Sequence, residues 1–325
     1  MRTGPLLRAV IGIAISLVAA ALVVRSVDIG ATFAALGRAD PRWIAFAAVL
    51  SSLDLAFRGL RWERLIRPIA AVPFLRMWAY LLIGYAANNI LPARLGELVR
   101  SHYLGDREGI SRAAALGTVV VERVVDLAAV VAIASVAILV LNVRGVLLSA
   151  VSVGAAVAGL LLAALALGIV AHRLPGVDRL TGIVERWPRV RELARSLQGG
   201  LGVVSRPRTL IETLLTTAAA WTCSLLAFAA IGQALGSELS IGQAALMTSG
   251  VALAAAIPAA PSNIGTFEAA AVATGTTIGL TAETALAIGL LSHVVILAVT
   301  SVGGLIAFAR VGWAGAGGAG TETPA

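Results

Sequence analysis

The chain has 325 residues, 59% of them hydrophobic and only 13% charged, with a mean hydropathy of +0.93. A soluble domain carries roughly a quarter charged residues, so this composition excludes a water-solvated globule and reads as an all-α polytopic membrane protein. The net charge of +8 comes from arginine without a single lysine. The arginines fall between apolar segments, which fits topology and lipid phosphates and excludes a nucleic-acid face.

From the N-terminus, Arg2 and Arg8 flank an apolar run over 9–24. A signal peptide cleaved near Ala19-Ala20-Ala21 is one reading. The length of the run and the immediate Arg25 favour a retained first span. Residues 25–42 read as a loop, with Pro41 and Trp43 marking the next interface. The apolar stretch 43–57 is followed by Arg58, Arg61, Arg64 and Arg67, opposed only by Glu63. That run of arginines predicts a cytoplasmic flank.

Segments 111–141 and 145–171 form a helical hairpin joined by Asn142-Val143-Arg144. The loop 172–208 that follows is rich in arginine and predicts another cytoplasmic stretch. Within it Val190, Leu193, Leu197, Leu201 and Val204 recur at helical spacing, as an amphipathic helix on the inner leaflet would. Counting back across the hairpin puts 98–110 on the cytoplasmic side with 58–73, so 74–97 must enter and leave by one face. In the second half, 210–235 and 286–309 cross, and 241–280 starts and finishes outside. The expected architecture is about six full spans plus two re-entrant hairpins. Halves of about 43–141 and 210–309 are related as an inverted repeat. Trp43 to Pro92 covers 49 residues and Leu210 to Pro261 covers 51, so the punctuation falls in register. Both termini are expected in the cytoplasm, within the cytoplasmic cell membrane, and residues 311–325 read as a disordered tail.

Two interrupted stretches organise the chain, Asn88-Asn89-Ile90-Leu91-Pro92-Ala93-Arg94-Leu95-Gly96-Glu97 and Ile257-Pro258-Ala259-Ala260-Pro261-Ser262-Asn263-Ile264-Gly265-Thr266-Phe267-Glu268. Each breaks a helix at proline and restarts it at glycine. In lipid every backbone N–H and C=O needs a partner, so such breaks survive only beside protein or a water-filled cavity. Paired breaks in two halves point to a transporter's central site. Pro92, Gly96, Pro258, Pro261 and Gly265 are the structural breaks. The arms 94–104 and 266–277 would aim their N-termini at the midplane, where free N–H groups bind anions.

Candidate substrate-binding residues are Asn89, Arg94, Glu97, Arg100, Glu122, Arg123, Asp126, Asn263 and Glu268. Glu122 and Asp126 lie four apart on one helix face, and at that depth each needs a partner; Arg123 and Arg94 are the candidates. The alternative is an ion-pair network that only locks helices together. Glu97 and Glu268 sit in first helical turns, where capping alone also explains a carboxylate. Asn88, Asn89, Ser262 and Asn263 satisfy broken backbone by default. His293 reads as a hydrogen-bonded histidine or a proton relay, and Asp54 with Arg58 as an interfacial i,i+4 pair. The lone Cys223 excludes an intramolecular disulfide and a cysteine metal cluster. No nucleophile–base pair, P-loop or metal-ligand spacing is present, so no catalytic residue, metal or cofactor is expected.

The series Arg61-Trp62, Asn89-x-x-Pro92-x-x-x-Gly96-Glu97-x-x-Arg100, Glu122-Arg123-x-x-Asp126 and Pro261-x-x-x-Gly265-x-x-Glu268 resembles the lysylphosphatidylglycerol synthase transmembrane region family. Its "flippase-like" members are related to the N-terminal membrane domain of the multiple peptide resistance factor. The resemblance spans roughly 10–310 and implies re-entrant segments around a central cavity and translocation of an aminoacylated phospholipid. In bifunctional members a separate cytosolic domain makes that lipid. Only a short tail follows Arg310 here, so synthase activity is not expected.

The resulting expectation is a lipid flippase-like transporter, not an enzyme, that moves a phosphate-bearing lipid, aminoacylated or prenyl-linked. Its partners would be that membrane phospholipid or lipid-linked substrate, a second copy of the chain, or a separate lipid-synthesising enzyme. A non-transporting scaffold for envelope-lipid enzymes and an intramembrane lipid-modifying enzyme are the alternatives.

Overall fold

A computed structural model describes residues 4–91, 95–170, 199, 202–256 and 259–314. The described residues are helical throughout, without strands. Eleven helices among them are numbered in chain order: α1 (Gly4–Ser26), α2 (Ile29–Leu36), α3 (Pro41–Ile66), α4 (Phe74–Ile90), α5 (Gly96–Glu108), α6 (Arg112–Leu141), α7 (Val146–Val170), α8 (Pro207–Ala234), α9 (Ile241–Ala255), α10 (Thr266–Thr277) and α11 (Ala282–Ala314).

Local sequence sets many of the boundaries. Asp40 caps α3 by accepting from Arg42 N, with Pro41 at the first helical position, where its missing N–H costs nothing. Ser240 and Gln243 form a reciprocal capping box at the start of α9, satisfying two orphan donors. Asn142, at φ 53°, ends α6 in the left-handed region and lets the chain turn directly into α7.

Five helices are long and apolar enough to cross a membrane: Pro41–Ile66, Arg112–Leu141, Leu147–Ala166, Pro207–Ala234 and Ala282–Gly312. The first of the six expected spans differs in form. Its segment Gly12–Ser26 meets α2 at a 90° bend, and α2 occupies what the sequence suggested was a loop. Asp28 caps α2 by accepting from Ala31 N at 3.0 Å, a start signal easily overlooked in so short a helix. The arms α4, α5, α9 and α10 have 17, 13, 15 and 12 residues. At 1.5 Å per residue each falls short of a hydrocarbon core of roughly 30 Å. They pair as two hairpins, α4 with α5 and α9 with α10. The first arm after a break is α5, which begins at Gly96 and runs on to Glu108, four residues beyond the expected end.

The pattern of helix contacts repeats between two sets of four helices. The most extensive helix contact is α3 against α8. Exchanging α3 with α8, α4 with α9, α5 with α10 and α6 with α11 maps every other major contact among these eight helices onto a counterpart. Thus α4 packs on α11 as α9 packs on α6, and α5 packs on α6 as α10 packs on α11. Outside the exchange, α7 lies on α6, while α1 lies on α10 and α2 on α11.

The main apolar core gathers Ala47, Phe228, Ile231, Met247, Phe267 and Ile288 from α3 and α8–α11. A second surrounds Trp62, Ile66, Met77, Tyr80 and Leu104 where α3, α4 and α5 meet. Leu17, Val136, Leu139, Leu160 and Leu305 point outward, as lipid-facing side chains must when the surrounding solvent is apolar. Val190, Leu193, Leu197 and Leu201 of the expected amphipathic stripe lie outside the described residues, as do 315–325, whereas residues 311–314, expected in the tail, continue α11 because that helix runs to Ala314.

Candidate functional site

Arg61 is the centre of a buried ion cluster. Its Nη1 and Nη2 donate to Asp126 Oδ1 and Oδ2 at 2.7 and 2.9 Å, a bidentate fork. Its Nε and Nη2 reach Glu122 Oε1 at 3.3 and 3.2 Å, and Nη1 also donates to Thr217 Oγ1 at 3.0 Å. Arg100 Nη2 meets the other Glu122 oxygen at 2.6 Å. Arg58 bridges Asp54, at 2.9 Å, and Asp126, at 3.3 Å. Trp221 Nε1 donates to Asp126 as well, at 3.2 Å. The Arg58 and Arg100 guanidiniums lie over Trp221 and Trp62, 5.0 and 4.6 Å from the ring centroids.

These contacts explain how charges persist in an apolar bundle. Removing a carboxylate or guanidinium from water costs several kcal/mol per ion, and is offset only by good geometry and full hydrogen bonding. Planar guanidinium forks and aromatic faces supply both. Glu97 and Arg123 form a further pair at 3.2 Å, so four carboxylates (Asp54, Glu97, Glu122, Asp126) balance four arginines (Arg58, Arg61, Arg100, Arg123).

Two corrections follow. The arginines at 58 and 61 do not flank a loop: α3 continues to Ile66, and both side chains are buried within it. They, with Arg100, are the partners of Glu122 and Asp126. Arg123 instead faces Glu97, because residues 122 and 126 share one face of α6 while 123 is rotated about 100° from 122. The pair Asp54–Arg58 forms within α3 at 2.9 Å, as its i,i+4 spacing suggested. The i,i+3 spacing of Arg58 and Arg61 on α3, against i,i+4 carboxylates on α6, was the available signal. The matching of two oppositely charged faces could have revealed it.

One side of this cluster opens into a cavity of about 940 Å³. Its charged end is formed by Asp54, Arg58, Glu97, Arg123 and Asp126, with Tyr85 and Trp221 beside them. The remainder is largely apolar, including Leu55, Val120, Leu127, Phe228, Val251 and Val295. Helices of both halves line it. Glu97 and Arg123 keep 24% and 35% of their side-chain surface exposed, against 1% for Glu122 and Arg61. The cluster therefore has an internal, closed part and a part presented to the cavity. Ser292 Oγ, buried on the cavity wall, has no hydrogen-bond partner among the described residues.

The remaining predicted residues lie around the second break. Ser262 Oγ donates to Asn89 O at 2.9 Å, so the two interrupted stretches touch. Asn89 Nδ2 holds Thr300 and Ser301 on α11, and Asn88 Oδ1 accepts from Gly96 N at 2.8 Å. Glu268 accepts from Gly265 N at 2.7 Å and lies 2.6 Å from His293 Nδ1. Asn89, Asn263 and Glu268 are thus gathered beside the cavity rather than on its wall. Of the structural breaks, Gly96, Pro261 and Gly265 are described. Pro92, Arg94 and Pro258 fall outside the described residues. Among the described residues no group of His, Cys, Asp and Glu is arranged to hold a metal.

The sequence profile of the lysylphosphatidylglycerol synthase TM region matches residues 9–304. The chain belongs to this family. Among curated relatives, the glycosyltransferase AglD of Haloferax volcanii is 26% identical over 91% of this chain and 53% of its own length. A UPF0104 membrane protein of Methanothermobacter thermautotrophicus is 34% identical over 35% of each chain. A second UPF0104 membrane protein, from Methanocaldococcus jannaschii, is 34% identical over 27% of each. The chain therefore spans about half the length of AglD, and matches the two UPF0104 proteins over about a third of theirs or less. For a member of the lysylphosphatidylglycerol synthase TM family, the cavity beside the ion cluster is the feature to explain.

Proposed function

We propose that this protein translocates a phosphate-bearing lipid across the cytoplasmic membrane, with the headgroup at the charged end of the cavity and the chain along its apolar walls. The observation that carries this reading is the amphipathic division of one cavity of about 940 Å³ between two structural halves. A charged headgroup crosses hydrocarbon slowly because burying it unpaired is costly. Arg123 and Arg58 offer donors to a phosphate; Glu97, Asp54 and Asp126 offer acceptors to an amine such as an aminoacylated lipid carries. The exchange of contacts supplies the second element, two halves able to rock about α3 and α8 in alternating access. On this reading the halves are inverted and the hairpins α4–α5 and α9–α10 are re-entrant.

The test is headgroup accessibility in proteoliposomes containing fluorescent phosphatidylglycerol or its lysyl derivative. Wild-type protein accelerates exchange between leaflets, and Glu97→Gln or Arg123→Gln slows it while the protein stays folded. No acceleration for any lipid rejects transport.

A second reading draws on the relative AglD, whose name describes a glycosyltransferase. The chain would then hold a lipid-linked substrate in the same cavity for a partner enzyme, without moving it. That reading predicts lipid binding without leaflet exchange.

A further inference from the structure

Beside the cavity, His293 has both ring nitrogens against acceptors. Nε2 lies 2.8 Å from the Ser262 carbonyl, and Nδ1 lies 2.6 Å from Glu268 Oε1. A carbonyl accepts only, so Nε2 carries a proton. The Nδ1 contact then needs a proton of its own, either on the ring, as imidazolium against carboxylate, or on Glu268, as a neutral acid donating to the ring. A neutral histidine beside an ionised glutamate is one proton short. Its bare nitrogen would face a lone pair at hydrogen-bond distance, whichever tautomer it chose.

We infer that Glu268 and His293 form a proton-binding site, that the described conformation is its loaded state, and that losing the proton releases the second break. The pair is 92% and 95% buried. Loaded, it is neutral overall; unloaded, it is an uncompensated negative charge away from water, which is unfavourable.

The groups facing the pair are the Gly265 N–H, which Glu268 Oε2 accepts, the Ser262 carbonyl, and the Phe267 ring stacked on the imidazole at 4.2 Å. Ser16 of α1 donates no charge here: its hydroxyl accepts from Ala260 N. Asn89 of α4 and Phe228 of α8 are the further neighbours. Among the described residues in these contacts no third charged group replaces the missing proton.

What the proton holds is a strained segment. Ser262 and Asn263 have φ of 60° and 57°, and Gly265 has φ of 88°, in the region that residues with a side chain rarely occupy. Such backbone persists when its surroundings fix it. Here Glu268 and His293 clamp it at residues 265 and 262. Ser262 in turn holds Asn89, and Asn89 holds Thr300, which lines the cavity. Phe267 lines it too. The clamp thus joins both breaks to the cavity wall. That its release moves lipid rests on the transport reading above; the proton site itself does not.

The experiment measures amide exchange of the 259–265 segment in nanodiscs, corrected for intrinsic rates, from about pH 6 to about pH 9. Wild-type exchange at Gly265 should rise about fivefold or more at the upper pH, the equivalent of one net hydrogen bond. In Glu268→Gln the amide supplies a permanent proton to Nδ1, so protection should persist at both pH values. His293→Phe keeps the stack on Phe267 and should be unprotected at both. Wild-type protection that ignores pH, or Glu268→Gln that follows it as wild type does, overturns the site. Leaflet exchange of fluorescent phosphatidylglycerol under a pH gradient then separates the two claims. Pronounced pH-dependent protection with no lipid movement retains the proton site and rejects transport. Gradient-driven movement undiminished in Glu268→Gln rejects the coupling.

Discussion

Arg61 and Asp126 meet through two parallel hydrogen bonds, at 2.7 and 2.9 Å, across the interface between α3 and α6. Both side chains are buried, and Asp126 also receives Arg58 and Trp221. Breaking a buried pair from one side leaves the other charge uncompensated, at about 3–5 kcal/mol. Asp126→Leu and Arg61→Met are therefore each expected to destabilise the protein by about that amount. The double substitution removes one charge of each sign, leaving Glu122 with Arg100 and Asp54 with Arg58. It should be more stable than either single variant in denaturant unfolding of detergent-solubilised protein. Additive losses would mean that the fork contributes nothing as a pair.

Glu97 and Arg123 are expected to behave differently, because their pair faces the cavity and stays partly exposed. Neutralising either should change stability by less than about 1 kcal/mol, as for other partly solvated pairs. Leaflet exchange, in contrast, should fall by about tenfold or more, the equivalent of one charge-assisted hydrogen bond to a headgroup. Comparing unfolding midpoints with exchange rates in the same preparations checks both halves of this expectation. A loss of stability matching that of Asp126→Leu would place Glu97 in the structural network instead.

The difference between these pairs also shows what could be read in the chain beforehand. Proline and glycine punctuation made the two interruptions visible, because helices in lipid have few other reasons to carry Pro261, Gly265 or Gly96. Their contact through Ser262 and Asn89 follows from that pattern. The partners of Glu122 and Asp126 were harder to see. Arginines near the end of an apolar helix look like ordinary snorkelling flanks, and only the crossing of α3 with α6 turns Arg58 and Arg61 inward. The cavity was least legible, since its walls come from helices distant in sequence, brought together by the packing of α3 on α8.

Small residues set how closely the first hairpin closes. A Cβ added at Gly84 would sit 2.9 Å from Gly96 O and 3.0 Å from Arg100 Cβ, and one added at Gly96 would run into Gly84 O. Close helix approach in membranes depends on such positions. Gly96→Ala must separate α4 from α5 and shift Arg100 away from Glu122. The expected cost is about 1–3 kcal/mol from overpacking, with Arg100→Gln showing a comparable loss and little added effect in combination. Thermal unfolding of the two single variants and the double variant measures this coupling. Full additivity would show that the hairpin can open without disturbing the ion cluster.

The hairpins also make a prediction about sidedness. If α4 and α5 enter and leave by one membrane face, single cysteines replacing exposed Ala71 and Asp106 will react with an impermeant maleimide from the same side. If α9 and α10 do likewise in the inverted half, cysteines at Glu238 and Thr281 will react together from the opposite side. Cys223 is buried and is replaced by alanine in the background. Arm length makes the expectation specific, because 12 to 17 residues reach only about 18 to 26 Å along a helix axis. A thinned bilayer could still let a 17-residue helix cross, but not a 12-residue one without a large mismatch. Labelling of Ala71 and Asp106 positions from opposite faces would make α4 or α5 a true span. The inverted relation would then fail, and with it the rocking of two equivalent halves around the cavity.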